Sequence, residues 1–355
     1  MSRGRAIVFA GRDRIELVDI SVPRVRPDEV LGETEITAIS QGTDRVMVAG
    51  TYAGVNSRYP FVYGYSRVGR VLEAGADVSG VRASDRVFVG MAGTRLDPAD
   101  GLGELGGAYT SHAVVHHADV VVLPDSVSST TAAICALGAI AYQGVVTSNV
   151  RPRSRVLVAG LGAIGQFGAL ICRLRGAQVW AIDPVPERRA LAGRIAGVET
   201  LAPDEDLAAR IEETAWGNRP WRGRNDEPAS RYERMRWEQA AGVVDVVIDA
   251  TGRTDALDAY LPLVAREGCI CLQGYYAAPL MLDFHAAHMK RVTIRCPGGM
   301  DLVDYESVLR LVAGAEVAAL AGLEVLVDET PTVMRDLLLH PPSGVVSAIV
   351  RWRDA

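Results

Sequence analysis

Three glycines are closely spaced in the segment VAGLGAIGQFG. Gly160, Gly162 and Gly165 follow the apolar run RVLVA and lead into the helix-like segment QFGALICRLRG. In this pattern the first glycine allows a tight turn, the second lets the backbone approach a pyrophosphate, and the third lets helix and strand pack closely. Backbone N–H groups at the helix start, around Ala163 and Ile164, attract the negative charge. A tight turn without a ligand is the alternative, but glycines, flanking elements and a following acid together favour a dinucleotide site.

Asp183 ends the next apolar run, QVWAID, about 20 residues after the glycine turn. An acid at that place accepts hydrogen bonds from the ribose hydroxyls of NAD, and it repels the 2′-phosphate of NADP. Arg188 and Arg189 follow closely, and one of them could instead reach a 2′-phosphate. NAD is therefore the predicted cofactor, and NADP is the less favoured alternative.

Two later apolar runs also end in small or polar residues. VVDVVIDATG ends beside Thr251, and GCICLQG ends at Gly274 and is followed by Tyr275. The segment between these runs, LDAYLPLVA, is predicted to be a helix. Because ligands bind at the carboxyl ends of the strands in doubly wound sheets, the predicted cofactor site includes Thr251, Gly274 and Tyr275.

The elements that must position these residues differ along the chain. Residues 1–127 contain short alternating β segments separated by Gly, Pro and Asp, which predict a barrel-like β unit. Residues 128–296 alternate β and α segments, which predicts a parallel sheet covered by helices. In residues 297–355, a helix and the late strand GVVSAIVRW are predicted to return to the first unit. The Trp- and Arg-rich segment 215–240 fits neither pattern, and we interpret it as an inserted loop, either a surface decoration or a lid or dimer contact.

The composition favours a cytoplasmic protein with a small-molecule substrate. The 355 residues are 49% hydrophobic and 23% charged, with a net charge of −6 and no basic stripe, so nucleic acid is not expected as a partner. We expect no apolar run to be long enough to span a membrane. The five cysteines lie in apolar surroundings, which is typical of reduced thiols.

Four segments together resemble the medium-chain dehydrogenase/reductase superfamily: AISQGTD, VYGYSRVGRV with ASDRVFVG, VAGLGAIGQFG and LQGYYAAPLMLDFHAAHM. The resemblance covers the chain apart from residues 215–240. It implies an α/β fold in which residues 1–127 and 297–355 form a GroES-like β-barrel catalytic domain and residues 128–296 form a doubly wound Rossmann domain. It also implies a homodimer paired through the edge of the nucleotide-binding sheet, where PLMLDF and KRVTIRC lie.

Zinc-containing members of this superfamily carry a cysteine before Gly-Thr-Asp in the first segment and Gly-His-Glu in the second. Gln41, Tyr65 and Ser66 occupy those ligand positions here, and the remaining ligand region offers only Cys135. Catalytic zinc needs three protein ligands and one open position, so no bound metal is predicted. The Ser-x-Gly-Thr-acid loop, Pro-x-x-x-Gly-Tyr and GYYAAPL resemble the zinc-free branch typified by 3-(1-hydroxyethyl) bacteriochlorophyllide dehydrogenase.

The resemblance also implies roles for the side chains of these segments. Thr43 stands where the superfamily has a hydroxyl that relays a proton beside the nicotinamide ribose. Tyr65 replaces a histidine ligand and could donate to the substrate oxygen, although a packed aromatic is an equal alternative. Gln41 could hydrogen-bond the substrate or the nicotinamide side. Asp44 either orients the loop or caps a helix that begins with RVMVAG.

These observations predict a zinc-independent oxidoreductase that transfers hydride between NAD and a secondary alcohol or its ketone, in specialised biosynthesis. One alternative is a quinone or enoyl reductase acting on C=C bonds, although such enzymes usually favour NADPH. The other alternative is a catalytically inactive relative that binds nucleotide without turnover.

Overall fold

The structure, a computed structural model, describes residues 2–52, 58–90, 93–203, 206–215 and 242–352. The chain divides into two compact units, one of residues 1–136 with 300–355 and the other of residues 137–299. The predicted insertion at 215–240 lies outside the described residues apart from Ala215, and it stays a prediction.

The described residues form helices and strands in the following order. The strands are β1 (Ser2–Gly11), β2 (Arg14–Val22), β3 (Glu29–Ile39), β4 (Phe61–Val62), β5 (Arg67–Ala74), β6 (Arg86–Val89), β7 (Gly103–Glu104), β8 (His112–His116), β9 (Val120–Val122), β10 (Arg155–Ala159), β11 (Gln178–Ile182), β12 (Glu199–Leu201), β13 (Val244–Asp249), β14 (Val264–Leu272), β15 (Thr293–Arg295), β16 (Ala321–Leu326) and β17 (Ser347–Arg351). The helices are α1 (Gln41–Val48), α2 (Ser129–Thr147), α3 (Ala163–Leu174), α4 (Pro186–Ala196), α5 (Leu207–Thr214), α6 (Ala256–Tyr260), α7 (Phe284–Lys290), α8 (Leu302–Leu311) and α9 (Arg335–Leu339).

The first unit is built on two β-sheets. A seven-stranded sheet has the order β16-β17-β3-β5-β6-β9, with β8 also paired to β3, and a four-stranded sheet has the order β2-β1-β4-β7. The late strand β17 pairs antiparallel with β3, so the chain returns to this unit. Strand β3 ends at Ile39, and α1 begins two residues later, at Gln41. The sheet therefore fixes the start of the helix that carries Thr43 and Asp44.

The second unit is a parallel six-stranded sheet of order β12-β11-β10-β13-β14-β15 with helices between its strands. Its core includes Leu157, Trp180, Val247 and Ile270, all buried. Strand β10 leads through the glycine turn into α3 and then to β11, which pairs in parallel with β10. This architecture confirms the predicted α/β fold with a doubly wound, Rossmann-type unit.

Two predictions about elements need correction. The segment LDAYLPLVA is helical only in α6, which ends at Tyr260, and β14 begins at Val264. The reason is that the carbonyl of Leu263 accepts the backbone N–H groups of Val243 and Val244 at 2.7 and 3.1 Å, which draws the chain into the sheet. Helix α2, contrary to expectation, is long and apolar enough to cross a membrane by length and composition alone. Because 61% of its most apolar window is buried within the fold, it has the character of a core helix.

Candidate functional site

The first unit carries the predicted catalytic residues at the start of α1. Ser40 is the N-cap, and its carbonyl accepts the backbone N–H of Asp44 at 2.8 Å. The Asp44 carboxylate accepts the Ser40 backbone N–H in return, at 3.3 Å. Asp44 therefore does fasten the helix start, but the helix begins at Gln41 rather than at RVMVAG, so Asp44 lies within its first turn.

Three hydroxyl groups meet beside this turn. The Ser40 Oγ donates to the Thr43 Oγ1 at 3.4 Å, and both side chains lie near enough to the Tyr65 hydroxyl to oppose the rise of its pKa. Tyr65 is 7% exposed, and burial first, then the charge of Asp44, raises its pKa well above the ordinary value of 10. At neutral pH Tyr65 therefore keeps its proton and can donate a hydrogen bond. Ser40 was not among the predicted site residues, although its place before a Gly-Thr-acid helix start is the sequence signal that could have identified it.

Asp44 is fully buried next to this hydroxyl cluster of Ser40, Thr43 and Tyr65. Burial is the largest influence on its carboxyl group and raises its pKa from 3.8 to about 7, against the lowering effect of hydrogen bonds from Tyr109 and Ser40. The Tyr109 hydroxyl donates a hydrogen bond to Asp44 Oδ2, while Oδ1 has no hydrogen-bond partner among the described residues. Tyr109 was also missed, because the contact spans 65 positions of the chain.

The side chains at the positions of the superfamily's zinc ligands either make other contacts or carry groups that zinc does not favour. Ser66 is buried and donates its hydroxyl to the carbonyl of Ala133 at 2.6 Å. Burial raises the pKa of the Cys135 thiol to about 12, so it is not a thiolate at neutral pH. Gln41 offers a neutral amide whose Nε2 has no partner in the described part of the chain. Within that part, no three His, Cys, Asp or Glu side chains are grouped to hold a metal ion, and these donors do not fit a catalytic zinc site.

The second unit carries the predicted cofactor residues at the carboxyl ends of its strands. Gly160 adopts a φ of +84°, in the left-handed region that favours glycine. A Cβ at Gly165 would lie 1.7 Å from the carbonyl oxygen of Gly160, so the helix can pack on the turn only with glycine there. A Cβ at Gly162 would meet nothing within 4 Å, and this residue caps α3, which continues with Ala163 and Ile164. The helix N-terminus is therefore open, as a pyrophosphate requires.

Asp183 lies beside this turn with a side chain fixed on two sides. Its carboxylate accepts the backbone N–H of Leu161 at 2.7 Å and that of Val185 at 2.8 Å. The Arg189 guanidinium donates to the backbone carbonyls of Asp183 and Pro184, at 2.6 and 3.1 Å. Each carboxylate oxygen accepts two hydrogen bonds, so Asp183 keeps acceptor capacity for ribose hydroxyls.

Arg188 is held by its backbone. Its carbonyl accepts the side-chain amide of buried Gln166 at 2.9 Å, and the same amide donates to the carbonyl of Leu161 at 3.2 Å. Gln166 thus ties the segment after Asp183 to the glycine turn. It was absent from the predicted site, and its position within the glycine motif was the available signal.

Thr251, Gly274 and Tyr275 lie on the turns after β13 and β14, and these turns touch. A Cβ at Gly274 would lie 2.4 Å from the backbone nitrogen of Gly252, and one at Gly252 would lie 2.6 Å from the carbonyl oxygen of Tyr275. A Cβ at Gly160 would lie 3.0 Å from Thr251. The fold therefore brings the predicted cofactor residues of three separate turns together at one edge of the sheet.

Comparisons with known proteins agree with this arrangement. A family model described as zinc-binding dehydrogenase matches residues 163–314, and one described as alcohol dehydrogenase GroES-like domain matches residues 26–125. The chain is 28% identical over 304 residues to 2-desacetyl-2-hydroxyethyl bacteriochlorophyllide A dehydrogenase from Cereibacter sphaeroides, covering 82% of this chain and 80% of that protein.

Solved structures show the same fold at low sequence identity. A Sinorhizobium meliloti protein with bound NADP has a TM-score of 0.79 and 20% identity, covering 99% of this chain and all of that one. An Escherichia coli protein, rspB, described as a short chain alcohol dehydrogenase complexed with NADH, has a TM-score of 0.79 and 17% identity, with 99% and 100% covered.

Proposed function

The chain belongs to the medium-chain dehydrogenase/reductase superfamily, and on this premise we propose that it is a nicotinamide-dependent oxidoreductase that interconverts a secondary alcohol and its ketone without a catalytic zinc ion. The observation that carries the proposal is the cluster of Ser40, Thr43 and Tyr65 hydroxyls at the place of the superfamily's metal ligands. The bacteriochlorophyllide dehydrogenase of C. sphaeroides supports the class of reaction by its name.

The proposal that no zinc is bound rests on the chemistry of the side chains at the ligand positions. Zinc in proteins is bound by thiolate, imidazole or carboxylate groups. At the ligand positions this chain offers an amide at Gln41, a protonated phenol at Tyr65 and, at Ser66, a hydroxyl already donating to a backbone carbonyl. None of these three neutral groups compensates the charge of a divalent ion.

In place of a metal, the hydroxyl cluster can hold and move the substrate proton. The backbone of the 160–165 turn and the Asp183 carboxylate fit a dinucleotide, which when bound supplies or accepts the hydride. When the ketone is reduced, a hydroxyl of the cluster gives its proton to the substrate oxygen and receives one from a neighbouring hydroxyl. When the alcohol is oxidised, the protons move in the opposite direction. Tyr65 is buried and Ser40 and Thr43 are half-buried, so the cluster can pass the proton towards solvent without leaving a charge on Tyr65.

The preference for NAD follows from Asp183. Its carboxylate is fixed by the Leu161 and Val185 N–H groups, and a 2′-phosphate beside it would be repelled. The Arg189 Nη1 donates to two backbone carbonyls, which ties this guanidinium to the backbone of the same segment. The fixed carboxylate supports NAD over NADP.

The test uses the purified full chain with both cofactors. Zinc per chain is measured by elemental analysis, and reduction of NAD is followed with 2-butanol and 1-phenylethanol before and after treatment with a chelator. We expect far less than one zinc per chain and activity that survives the chelator. Stoichiometric, tightly held zinc would overturn the metal-free mechanism, and turnover only with quinones or enones would show a quinone or enoyl reductase instead. Binding of NADH with no turnover on either substrate class would indicate an inactive relative.

A further inference from the structure

Asp249 ends β13 with a carboxylate that lies at the predicted cofactor edge and has no assigned role. It is 0% exposed. The carboxylate accepts the backbone N–H of Thr251 at 2.9 Å and its hydroxyl at 2.6 Å, both on Oδ1. The Tyr276 hydroxyl donates to Oδ2 at 2.9 Å. One side chain therefore binds both the turn after β13 and the segment after β14.

The backbone of Asp249 adds a second connection between the same segments. Its carbonyl oxygen accepts the N–H groups of Gln273 at 2.8 Å and Gly274 at 3.0 Å, and the Tyr276 hydroxyl lies 3.3 Å away. Gly252 and Gly274 pack so closely that neither position has room for a Cβ against the other turn. The Thr251 side chain in turn packs against Gly160 of the dinucleotide turn.

The surroundings of Asp249 make these hydrogen bonds important. Burial is the largest influence and raises the pKa of its carboxyl group, while the bonds from Thr251 and Tyr276 oppose that rise. Tyr260 and Cys271, which also face it, carry no positive charge, and none of the ion pairs among the described residues includes Asp249. A buried carboxylate without a cation depends on its neutral donors, so their loss releases the turns that they hold.

We propose that Asp249 is a positioning residue of the cofactor site, which holds the turns after β13 and β14 in the shape that binds the nicotinamide dinucleotide. The proposal rests on the proposed function in one respect, namely that these turns bind such a cofactor. It assigns Tyr276 and Thr251 as the donors through which Asp249 acts.

The same strand provides a matched control. Asp245 lies near the amino end of β13, and its carboxylate accepts the backbone N–H of Arg155 at 2.8 Å. Burial raises the pKa of this carboxyl group too. Asp245→Asn therefore disturbs a half-buried, hydrogen-bonded carboxylate of the same strand, at the edge opposite to the cofactor turns.

The experiment measures NADH binding by fluorescence titration, and the thermal midpoint, for the full chain and its variants. Asp249→Asn and Tyr276→Phe should each raise the Kd for NADH by about tenfold, the equivalent of about 1.4 kcal/mol. Asp245→Asn should lower the thermal midpoint but leave the Kd within about twofold of wild type. Thr251→Val should weaken NADH binding, whereas Thr251→Ser, which keeps the hydroxyl, should bind NADH as the wild type does. A purely structural effect would not produce this difference.

The outcomes separate this inference from the proposed function. Wild-type protein that binds neither NADH nor NADPH would remove the proposed function and this inference with it. Wild-type binding that is unchanged in folded Asp249→Asn, or weakened equally by Asp245→Asn, would overturn the role of Asp249 alone. If Asp249→Asn fails to fold, Tyr276→Phe and the Thr251 pair decide the matter, because each leaves the carboxylate in place.

Discussion

The buried carboxyl of Asp44 predicts an unusual dependence of stability on pH. Its pKa is about 7 in the folded chain and 3.8 ordinarily, so folding binds a proton more tightly at this group. The stabilisation is fully present below the unfolded pKa and is lost as pH rises through about 7. At about 1.4 kcal/mol per pKa unit, the free energy of unfolding that is lost in full is about 4 kcal/mol. About 2.5 kcal/mol of it should fall between about pH 5 and about pH 8.

Asp44→Asn isolates this effect because asparagine carries no charge at any of these pH values and still offers Tyr109 an acceptor oxygen. Urea unfolding of both proteins at about pH 5 and about pH 8 gives a difference from which the other titrating groups cancel. As the pH rises over this interval, we expect the free energy of unfolding of the variant to increase by about 2.5 kcal/mol relative to that of the wild type. A difference that is constant with pH to within about 0.5 kcal/mol would refute the reasoning, since Asp44 would then titrate alike in both states.

The remaining predictions concern the hydroxyl cluster, the cofactor and the oligomer. Thr43→Val and Tyr65→Phe should each lower kcat by about 10²-fold or more with NADH affinity nearly unchanged, and the double variant should be little worse because the hydroxyls act as one unit; near-wild-type turnover in both single variants would contradict this. Asp183→Ala should narrow the preference for NADH over NADPH in parallel titrations, and tighter NADPH binding by the wild type would contradict the assignment. Met281 is 81% exposed and precedes the edge strand β15, so we expect light scattering to show a homodimer. Met281→Asp should disrupt this dimer. Val303→Asp, at a position 72% exposed in the other unit, should leave it intact. A monomer at all concentrations would contradict the predicted dimer.

Local patterns were enough to predict the strands and turns that carry the candidate cofactor residues. The glycine turn and the apolar runs of β10, β11 and β13 carry their own signals, because turn geometry and strand alternation depend on neighbouring residues. Asp183 followed from its spacing alone. The helix predicted at LDAYLPLVA was partly wrong because Val264 is drawn into β14 by sheet hydrogen bonds, which no local propensity contains.

The polar partners of the candidate site could not be predicted in the same way. Tyr109 meets Asp44 across 65 positions, and Tyr276 meets Asp249 across 27. These pairs form only when the chain folds, because Tyr109 lies between β7 and β8 and Tyr276 follows β14, each far along the chain from its carboxylate. Ser40 is different, since its local spacing from Thr43 and Asp44 was visible in the sequence but its hydroxyl contacts with Tyr65 were not.

The two units use the same electrostatic arrangement for different ends. In each, a fully buried carboxylate accepts a tyrosine hydroxyl, Asp44 from Tyr109 and Asp249 from Tyr276, and no described ion pair involves either one. Both carboxylate oxygens of Asp249 accept hydrogen bonds from neighbouring turns, so its carboxylate holds those turns in place. Asp44 has one oxygen without a partner among the described residues and has a pKa near neutrality. Its charge therefore changes near neutral pH, and because that charge raises the pKa of Tyr65, the proton held by the hydroxyl cluster depends on Asp44.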